Sequence, residues 1–326
     1  MEKKINRAII IAGILLTVAF LGIQWLLKSG GRDLSANQTE SRLEFGATYM
    51  TMNNPFFEII DDEIRSVAEG RGDVLITRDP ALSQEKQIEQ IYELIDRKVA
   101  AIFLNPVDWK GVKPALEAAK KAGIPVIAVD TPVYDTDLVT CTVVSDNYDA
   151  GVQCGKHLLD HHQGGKIVLL EHPGAKSAQD RIQGFLDTID GDSRFQIVGR
   201  EACEGQLELA MPAMERQLAQ HSDVNIVMAL NDPSAMGAMA ALEDYGMLEK
   251  VSVYGVDGAP EARSMIAEGN MTATSSQFPN RIGQIAVDKA YQIIDGTWRG
   301  EEKEIQVPVS LITRDNVAQY GTDGWK

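Results

Sequence analysis

The chain has 326 residues, a length that favours two lobes of ordinary size over a single hydrophobic core. Its composition, 44% hydrophobic and 24% charged, is that of a globular protein rather than a disordered or fibrous one. The formal net charge of −16 argues against binding to nucleic acid, which needs a basic surface. Three cysteines without a C-x-x-C pair favour neither a disulfide framework nor a structural zinc site.

The first apolar segment, residues 8–27, contains no charged side chain. As a helix it would cover about 30 Å, which is the hydrocarbon thickness of a bilayer. Lys3, Lys4 and Arg7 precede it, and by the positive-inside rule they keep residues 1–7 in the cytoplasm. We therefore predict a cytoplasmic tail, a transmembrane signal-anchor over 8–27, and a domain anchored to the cell membrane on its extracellular or periplasmic side.

A cleaved secretory signal is the alternative for this segment, although its apolar region would usually be shorter. A lipoprotein would need a cysteine directly after the apolar residues, and the first cysteine is Cys141. Residues 28–42 are polar and contain Gly and Ser, which is typical of a linker. The sequence leaves open whether the segment is cleaved.

From residue 43 onward, short apolar segments alternate with amphipathic ones. The short segments are rich in Val, Ile and Leu and apolar throughout, which is typical of strands buried on both faces. Residues 84–98 illustrate the intervening helices, since Ser83 can cap them and apolar residues share one helical face. The pattern predicts an α/β fold of two doubly wound parallel sheets covered by helices.

Asn or Asp follows four of the predicted strands, at Asn105, Asp130, Asn231 and Asp257. Ligands of parallel α/β proteins bind beyond the carboxyl ends of the strands. Carboxylates and amides bind hydroxyl groups, and an aromatic face covers the C–H side of a sugar ring. These strand ends therefore indicate a polyol-binding cleft; the alternative is that they only cap the following helices.

Together these motifs resemble the type I periplasmic sugar-binding protein family, and in particular its ribose-binding-like ABC solute-binding proteins. The resemblance covers residues 43–309 and rests on eight segments. They are NNPFF (53–57), AIFLNPVD (101–108), IPVIAVD (124–130), VSDN (144–147), DRIQGF (180–185), ALNDPSAMGAMAAL (229–242), YGVDG (254–258) and TATSSQFP (272–279).

The resemblance implies two lobes joined by a three-strand hinge, the periplasmic binding protein type I fold, which closes around its ligand. The implied N-terminal lobe comprises residues 43–145 plus 278–310, and the C-terminal lobe comprises 146–277 plus 311–326. The three crossings between the lobes are expected near Ser145-Asp146, Gln277-Phe278 and Ser310-Leu311.

The resemblance also implies a set of ligand-binding residues, matched position by position. They are Asn54, Phe56, Phe57, Asp130, Thr131, Arg181, Gln206, Asn231, Asp257 and Gln277. Thr131 departs from the arginine of ribose binders, and Cys203-Glu204-Gly205-Gln206 departs from their second aromatic. We therefore expect ring stacking on one side only, and a sugar or small polyol other than ribose.

The resulting functional hypothesis is an extracytoplasmic solute-binding protein that delivers a monosaccharide or similar polyol to an ABC importer. We expect no enzymatic activity, because the sequence lacks nucleophile-elbow, phosphate-loop and zinc-protease motifs. No cofactor, metal or nucleic-acid partner is expected, and the soluble part is expected to be monomeric. The alternative is a membrane-anchored sugar sensor that presents its ligand-bound state to a histidine kinase.

Overall fold

The computed structural model describes residues 42–300 and 302–325. The predicted tail (1–7), signal-anchor (8–27) and nearly all of the predicted linker (28–42) lie outside these residues. Within the described part of the chain, no helix is long and apolar enough to cross a membrane.

Six parallel strands form the first sheet, in the order β11-β5-β4-β3-β1-β2. They are β1 (Glu44–Thr48), β2 (Val74–Arg78), β3 (Ile102–Leu104), β4 (Val126–Val129), β5 (Cys141–Ser145) and β11 (Glu304–Val307). Strands β3 and β4 are buried along their whole length, which explains why their sequences are apolar without alternation.

The second sheet repeats this order as β12-β10-β9-β8-β6-β7. It contains β6 (Gly165–Glu171), β7 (Phe195–Ala202), β8 (Ile226–Ala229), β9 (Ser252–Asp257), β10 (Ala273–Ser276) and β12 (Ser310–Thr313). Only its edge strand β12 is antiparallel to its neighbour, whereas the other pairings are parallel.

Helices cover both sheets and define two lobes. The first lobe has α1 (Pro55–Gly70), α2 (Gln84–Asp96), α3 (Lys113–Ala122) and α9 (Pro279–Ile294). The second lobe has α4 (Asn147–His161), α5 (Lys176–Ile189), α6 (Leu207–Gln220), α7 (Asp232–Asp244), α8 (Pro260–Glu268) and α10 (Val317–Tyr320). The predicted fold class, α/β with two doubly wound parallel-sheet lobes, is confirmed.

The chain passes between the sheets three times. It leaves the first sheet after Ser145 and returns after Ser276. The third passage lies between Val307 and Ser310, slightly ahead of the predicted Ser310-Leu311, because Ser310 already pairs with Ser276 in the second sheet.

Helices α4 and α5 cross at unusually close range. A Cβ atom at Gly151 of α4 would overlap the carbonyl oxygen of Arg181 in α5, and one at Gly184 of α5 would overlap that of Tyr148. Glycine at both positions lets the two backbones touch, and this contact sets the position from which the Arg181 side chain projects.

Replacing Gly151 by Ala should therefore lower the free energy of unfolding by about 2 kcal/mol, since the added methyl group forces the two helices apart. Gly70 is the matched control, because a Cβ there would meet nothing within 4 Å. We expect Gly70→Ala to be neutral or slightly stabilising. Urea denaturation of both variants measures the difference; equal effects would contradict the close-packing argument.

Candidate functional site

One cavity lies between the two lobes, at the carboxyl ends of both sheets. Its walls include nine of the ten predicted site residues. These nine are Asn54, Phe56, Phe57, Asp130, Arg181, Gln206, Asn231, Asp257 and Gln277. The structure therefore brings together side chains that lie up to 223 positions apart in the chain (277 − 54 = 223).

The cavity is built from equivalent strands of the two lobes, because both sheets share one strand order. Asp130 follows β4 and Asp257 ends β9, its counterpart in the second sheet. Asn105 follows β3, and Asn231 lies just after the equivalent strand β8. The strand order reverses at β1 and β6, where a doubly wound sheet opens a crevice for ligands.

Both strand-end aspartates have strained backbones. The φ angle is +64° at Asp130 and +140° at Asp257, a region that side-chain-bearing residues rarely adopt. The Asp130 carboxylate accepts hydrogen bonds from Asn105 Nδ2 (3.0 Å) and Thr131 Oγ1 (2.9 Å). The Asp257 carboxylate accepts one from Gln277 Nε2 (2.7 Å), while its other oxygen, Oδ2, is buried without a partner.

Arg181 projects from α5 between these two aspartates and is 4% exposed. Its guanidinium donates from Nε to Asn147 Oδ1 (2.8 Å) and from Nη1 to the Leu230 carbonyl (3.0 Å), which fixes the plane of the group. Nη2 lies 3.8 Å from Asp130 Oδ1, and Nη1 lies 3.7 Å from Asp257 Oδ1. Each carboxylate is thus close enough to the Arg181 guanidinium for charge attraction, but too far from it for a direct hydrogen bond.

Burial shifts the protonation of the acidic groups. It raises the pKa of Asp257 well above its usual value, and it raises the pKa of Asp130, while the Arg181 charge opposes both shifts. Asp232 lies behind the cavity wall, and burial raises its pKa to about 6. Its carboxylate accepts from Thr274 Oγ1 (2.6 Å) and the Ala259 amide (2.8 Å), so it joins strand β10 to the residue that precedes α8.

Aromatic rings form the first-lobe side of the cavity. The Asn54 side chain caps α1 by accepting from the Phe56 amide (3.0 Å), which orients the first turn. Phe56 and Phe57 meet edge to face at 5.7 Å, and Phe57 stacks on Tyr49 at 6.0 Å. These contacts hold both phenylalanine rings in fixed positions in the cavity wall.

The second-lobe side of the cavity carries a polar pair that the sequence analysis did not identify as a site. Glu204 Oε2 lies 2.7 Å from His172 Nδ1, and His172 Nε2 is buried without a partner. This contact lowers the pKa of Glu204. Gly205 has a φ angle of +70°. It belongs to the segment 203–206, where the family resemblance implies an aromatic residue.

Thr131, the tenth predicted site residue, is not among the residues that line the cavity. Its short side chain is directed to neighbouring groups: the hydroxyl lies 2.9 Å from Asp130 Oδ2 and 2.7 Å from Ser177 Oγ of the second lobe. A second side-chain contact between the lobes joins Asn53 Nδ2 to Gln206 Oε1 (3.1 Å).

Comparison with known proteins places the chain in a family. The sequence model described as "Periplasmic binding protein domain" matches residues 45–297, so the chain belongs to the periplasmic binding protein family. This confirms the resemblance to type I periplasmic sugar-binding proteins that the motifs indicated.

Individual relatives agree with this assignment. The ribose import binding protein RbsB of Bacillus subtilis is 30% identical, over 96% of this chain and all of its own. A galactofuranose binding protein superposes with a TM-score of 0.81 at 25% identity, over 85% of this chain and 96% of its own. An ABC transporter solute binding protein from Mycobacterium smegmatis, solved with bound glycerol, has a TM-score of 0.80 at 32% identity, with the same coverage.

The ionised Asp257 carboxylate should lower the stability of the ligand-free protein. A raised pKa in the folded state means that the folded protein binds this proton more tightly than the unfolded chain does, so the cost of ionisation grows as the pH rises above about 4. We expect Asp257→Asn to raise the melting temperature by roughly 2 °C or more at pH 8 and by less at pH 5.

The exposed Asp62 provides the matched control, since Asp62→Asn should leave the melting temperature nearly unchanged at both pH values. Differential scanning calorimetry without added ligand measures both variants. A loss of stability in Asp257→Asn that is larger at pH 8 than at pH 5 would show that the ionised carboxylate stabilises the fold.

Proposed function

We propose that this protein is an extracytoplasmic solute-binding protein that captures a monosaccharide or similar polyol between its lobes and delivers it to an ABC importer. The observation that carries the proposal is the buried Arg181 between Asp130 and Asp257, inside a cavity with aromatic residues on one side. Side chains fixed in this way around a cavity, with no nucleophile motif among them, suit binding rather than catalysis.

The spacing of the charges supports a hydroxylated ligand. Each Arg181–aspartate distance is close to 3.8 Å, so a hydroxyl group near this gap can accept from the guanidinium and donate to a carboxylate. Such charge-assisted hydrogen bonds are about twice as strong as neutral ones. Asp257 Oδ2 and Gln277 Oε1 are buried acceptors without partners, and ligand hydroxyls would satisfy them.

The two walls of the cavity differ, and this difference narrows the ligand class. Phe56 and Phe57 offer apolar faces from the first lobe, whereas His172 and Glu204 offer a donor and an acceptor from the second lobe. A compound with a C–H face on one side and hydroxyls on the other fits this arrangement better than a ring stacked on both sides. The names of the relatives, which include ribose, galactofuranose and bound glycerol, support the polyol class.

We further propose that two lobes of this binding protein move relative to each other, with the third boundary placed where the chain changes sheet: residues 43–145 with 278–307, and residues 146–277 with 310–326. Residues 8–27 are proposed as an uncleaved signal-anchor that holds it at the outer side of the cell membrane. A retained anchor also motivates the second candidate function, a sensor that presents its ligand-bound form to a histidine kinase. Cross-linking in cells to a permease or to a kinase separates the two functions.

A polyol ligand should raise the melting temperature by roughly 5 °C or more at a concentration of 100 Kd. The panel is D-ribose, D-allose, D-galactose, L-arabinose, myo-inositol and glycerol, with L-leucine as a non-polyol control. Arg181→Lys should reduce the shift strongly, because lysine lacks the two-pronged fork that faces both aspartates. Thermal-shift fluorimetry measures these changes.

Arg216→Lys is the matched control, since Arg216 pairs with Glu201 on the surface away from the cavity. It should keep the full ligand-induced shift. Stabilisation by L-leucine and by none of the polyols would refute the proposed ligand class. A shift that persists in Arg181→Lys would refute the assigned site.

The proposed anchor has a direct test. Intact-mass analysis of the protein isolated from native membranes should give a terminus ahead of residue 8, because an uncleaved anchor keeps its apolar segment. A mature terminus after residue 27 would exclude the anchor without affecting the ligand site.

A further inference from the structure

The C-terminal segment of the second lobe turns back toward the cavity. After β12, the Asn316 side chain closes a turn by donating to the Leu311 carbonyl (2.9 Å) and accepting from the Thr313 amide (2.8 Å). Helix α10 then packs against α8, and Gly321 and Gly324, both at positive φ, direct the chain onward to Trp325.

Arg263 of α8 fastens this segment to the second lobe. Its side chain is completely buried, and its guanidinium donates from Nη1 to the Tyr320 carbonyl (2.8 Å) and from Nη2 to the Gly324 carbonyl. A buried guanidinium that binds two backbone carbonyls fixes the path of the chain between them. The backbone that carries Trp325 is therefore held in a fixed position on the second lobe.

Trp325 meets the first lobe at a residue of the ligand site. Its indole ring lies edge to face on Phe56, with centroids 5.6 Å apart and an interplanar angle of 70°. Phe56 lines the cavity and continues the row of rings through Phe57 to Tyr49. The contact thus connects a segment fixed to one lobe with an aromatic cavity wall of the other.

We propose that Trp325 is a positioning residue of the ligand site, which holds Phe56 in place and slows ligand release by joining the lobes across the cavity. The inference rests on the proposed function, since it concerns retention of the ligand captured there. Trp325 itself is not among the cavity-lining residues, so it acts through Phe56.

The predicted effect has a kinetic signature. Aromatic pairs contribute roughly 0.5–1.5 kcal/mol beyond the area they bury, which corresponds to a two- to tenfold change in affinity. Because the contact joins the two lobes, separating them must break it. Its loss should therefore appear in the dissociation rate, with the association rate little changed.

The test compares Trp325→Ala and Trp325→Phe in the full chain, with whichever polyol of the panel above stabilises the unaltered protein. We expect Trp325→Ala to raise Kd two- to tenfold by calorimetry, with a matching rise in the dissociation rate by stopped-flow fluorescence. Trp109 remains in every variant as a fluorophore in the interlobe contact, through its backbone bond to Gly174. Trp325→Phe should recover part of the loss, because a ring remains to meet Phe56.

Trp298→Ala is the matched control, since Trp298 is a partly buried tryptophan that packs on the core without lining the cavity. It should leave Kd and the dissociation rate unchanged even where it lowers stability. If Trp325→Ala shifts the melting temperature but neither ligand constant, Trp325 is only a structural residue and the inference fails.

A second measurement needs no ligand. Spin labels at Glu58→Cys and Leu209→Cys flank the interlobe contact of Asn53 with Glu208, and the three native cysteines are buried. Electron–electron distance measurements should show longer separations in Trp325→Ala than in the otherwise unaltered chain. If no polyol binds, the proposed function fails and takes the ligand-retention role with it, whereas an unchanged distance distribution overturns the inference that Trp325 joins the lobes, whether or not a polyol binds.

Discussion

A buried guanidinium between two buried carboxylates is the constraint on which the site depends. Arg181 is 4% exposed, Asp130 is 4% exposed and Asp257 is 2% exposed, so water solvates none of them well. Burying such charges is costly unless each is paired and hydrogen-bonded. The guanidinium donates hydrogen bonds to Asn147 and to a backbone carbonyl. Its charge attracts both aspartates, but it donates a direct hydrogen bond to neither of them.

The fold supplies this arrangement through repetition. Two sheets with one strand order face each other, so equivalent strand ends arrive at the cavity from opposite sides. Asp130 and Asp257 occupy equivalent positions, and both carry positive φ angles. Strain of this kind costs of order 1–3 kcal/mol per residue and persists only where the surroundings enforce it. Rigid neighbouring strands enforce these φ angles here, and the strained residues place their carboxylates at the cavity.

The fold class and most residues of the candidate site could be predicted from the sequence, and particular residues show why. Apolar strands such as β3 and β4 are buried on both faces, so their composition alone predicts parallel sheets. Strand-end Asn and Asp predicted the cavity because strand ends converge in any such sheet. His172 directly follows β6 in the same way, but it is neither Asn nor Asp, so the pattern of strand-end Asn and Asp does not include it.

Other features depend on paths that no local pattern encodes. Thr131 matches a motif position of the family, yet its hydroxyl contacts Asp130 and Ser177, and the residue is not part of the cavity lining. The contact of Trp325 with Phe56 requires the route set by Arg263 and two glycines, which links residues 269 positions apart (325 − 56 = 269). Such contacts arise from tertiary geometry, and sequence periodicity carries no information about them.

The contacts between the lobes indicate how capture and release can both occur. Several of them are polar: Asn53 with Gln206, Thr131 with Ser177, and the Trp109 amide with the Gly174 carbonyl. Each is worth only about 0.5–1.5 kcal/mol net, since water replaces it when the lobes separate. A ligand that satisfies the buried carboxylates can therefore decide the balance between the joined and separated lobes, and the aromatic contact at Phe56 adjusts that balance without touching the ligand.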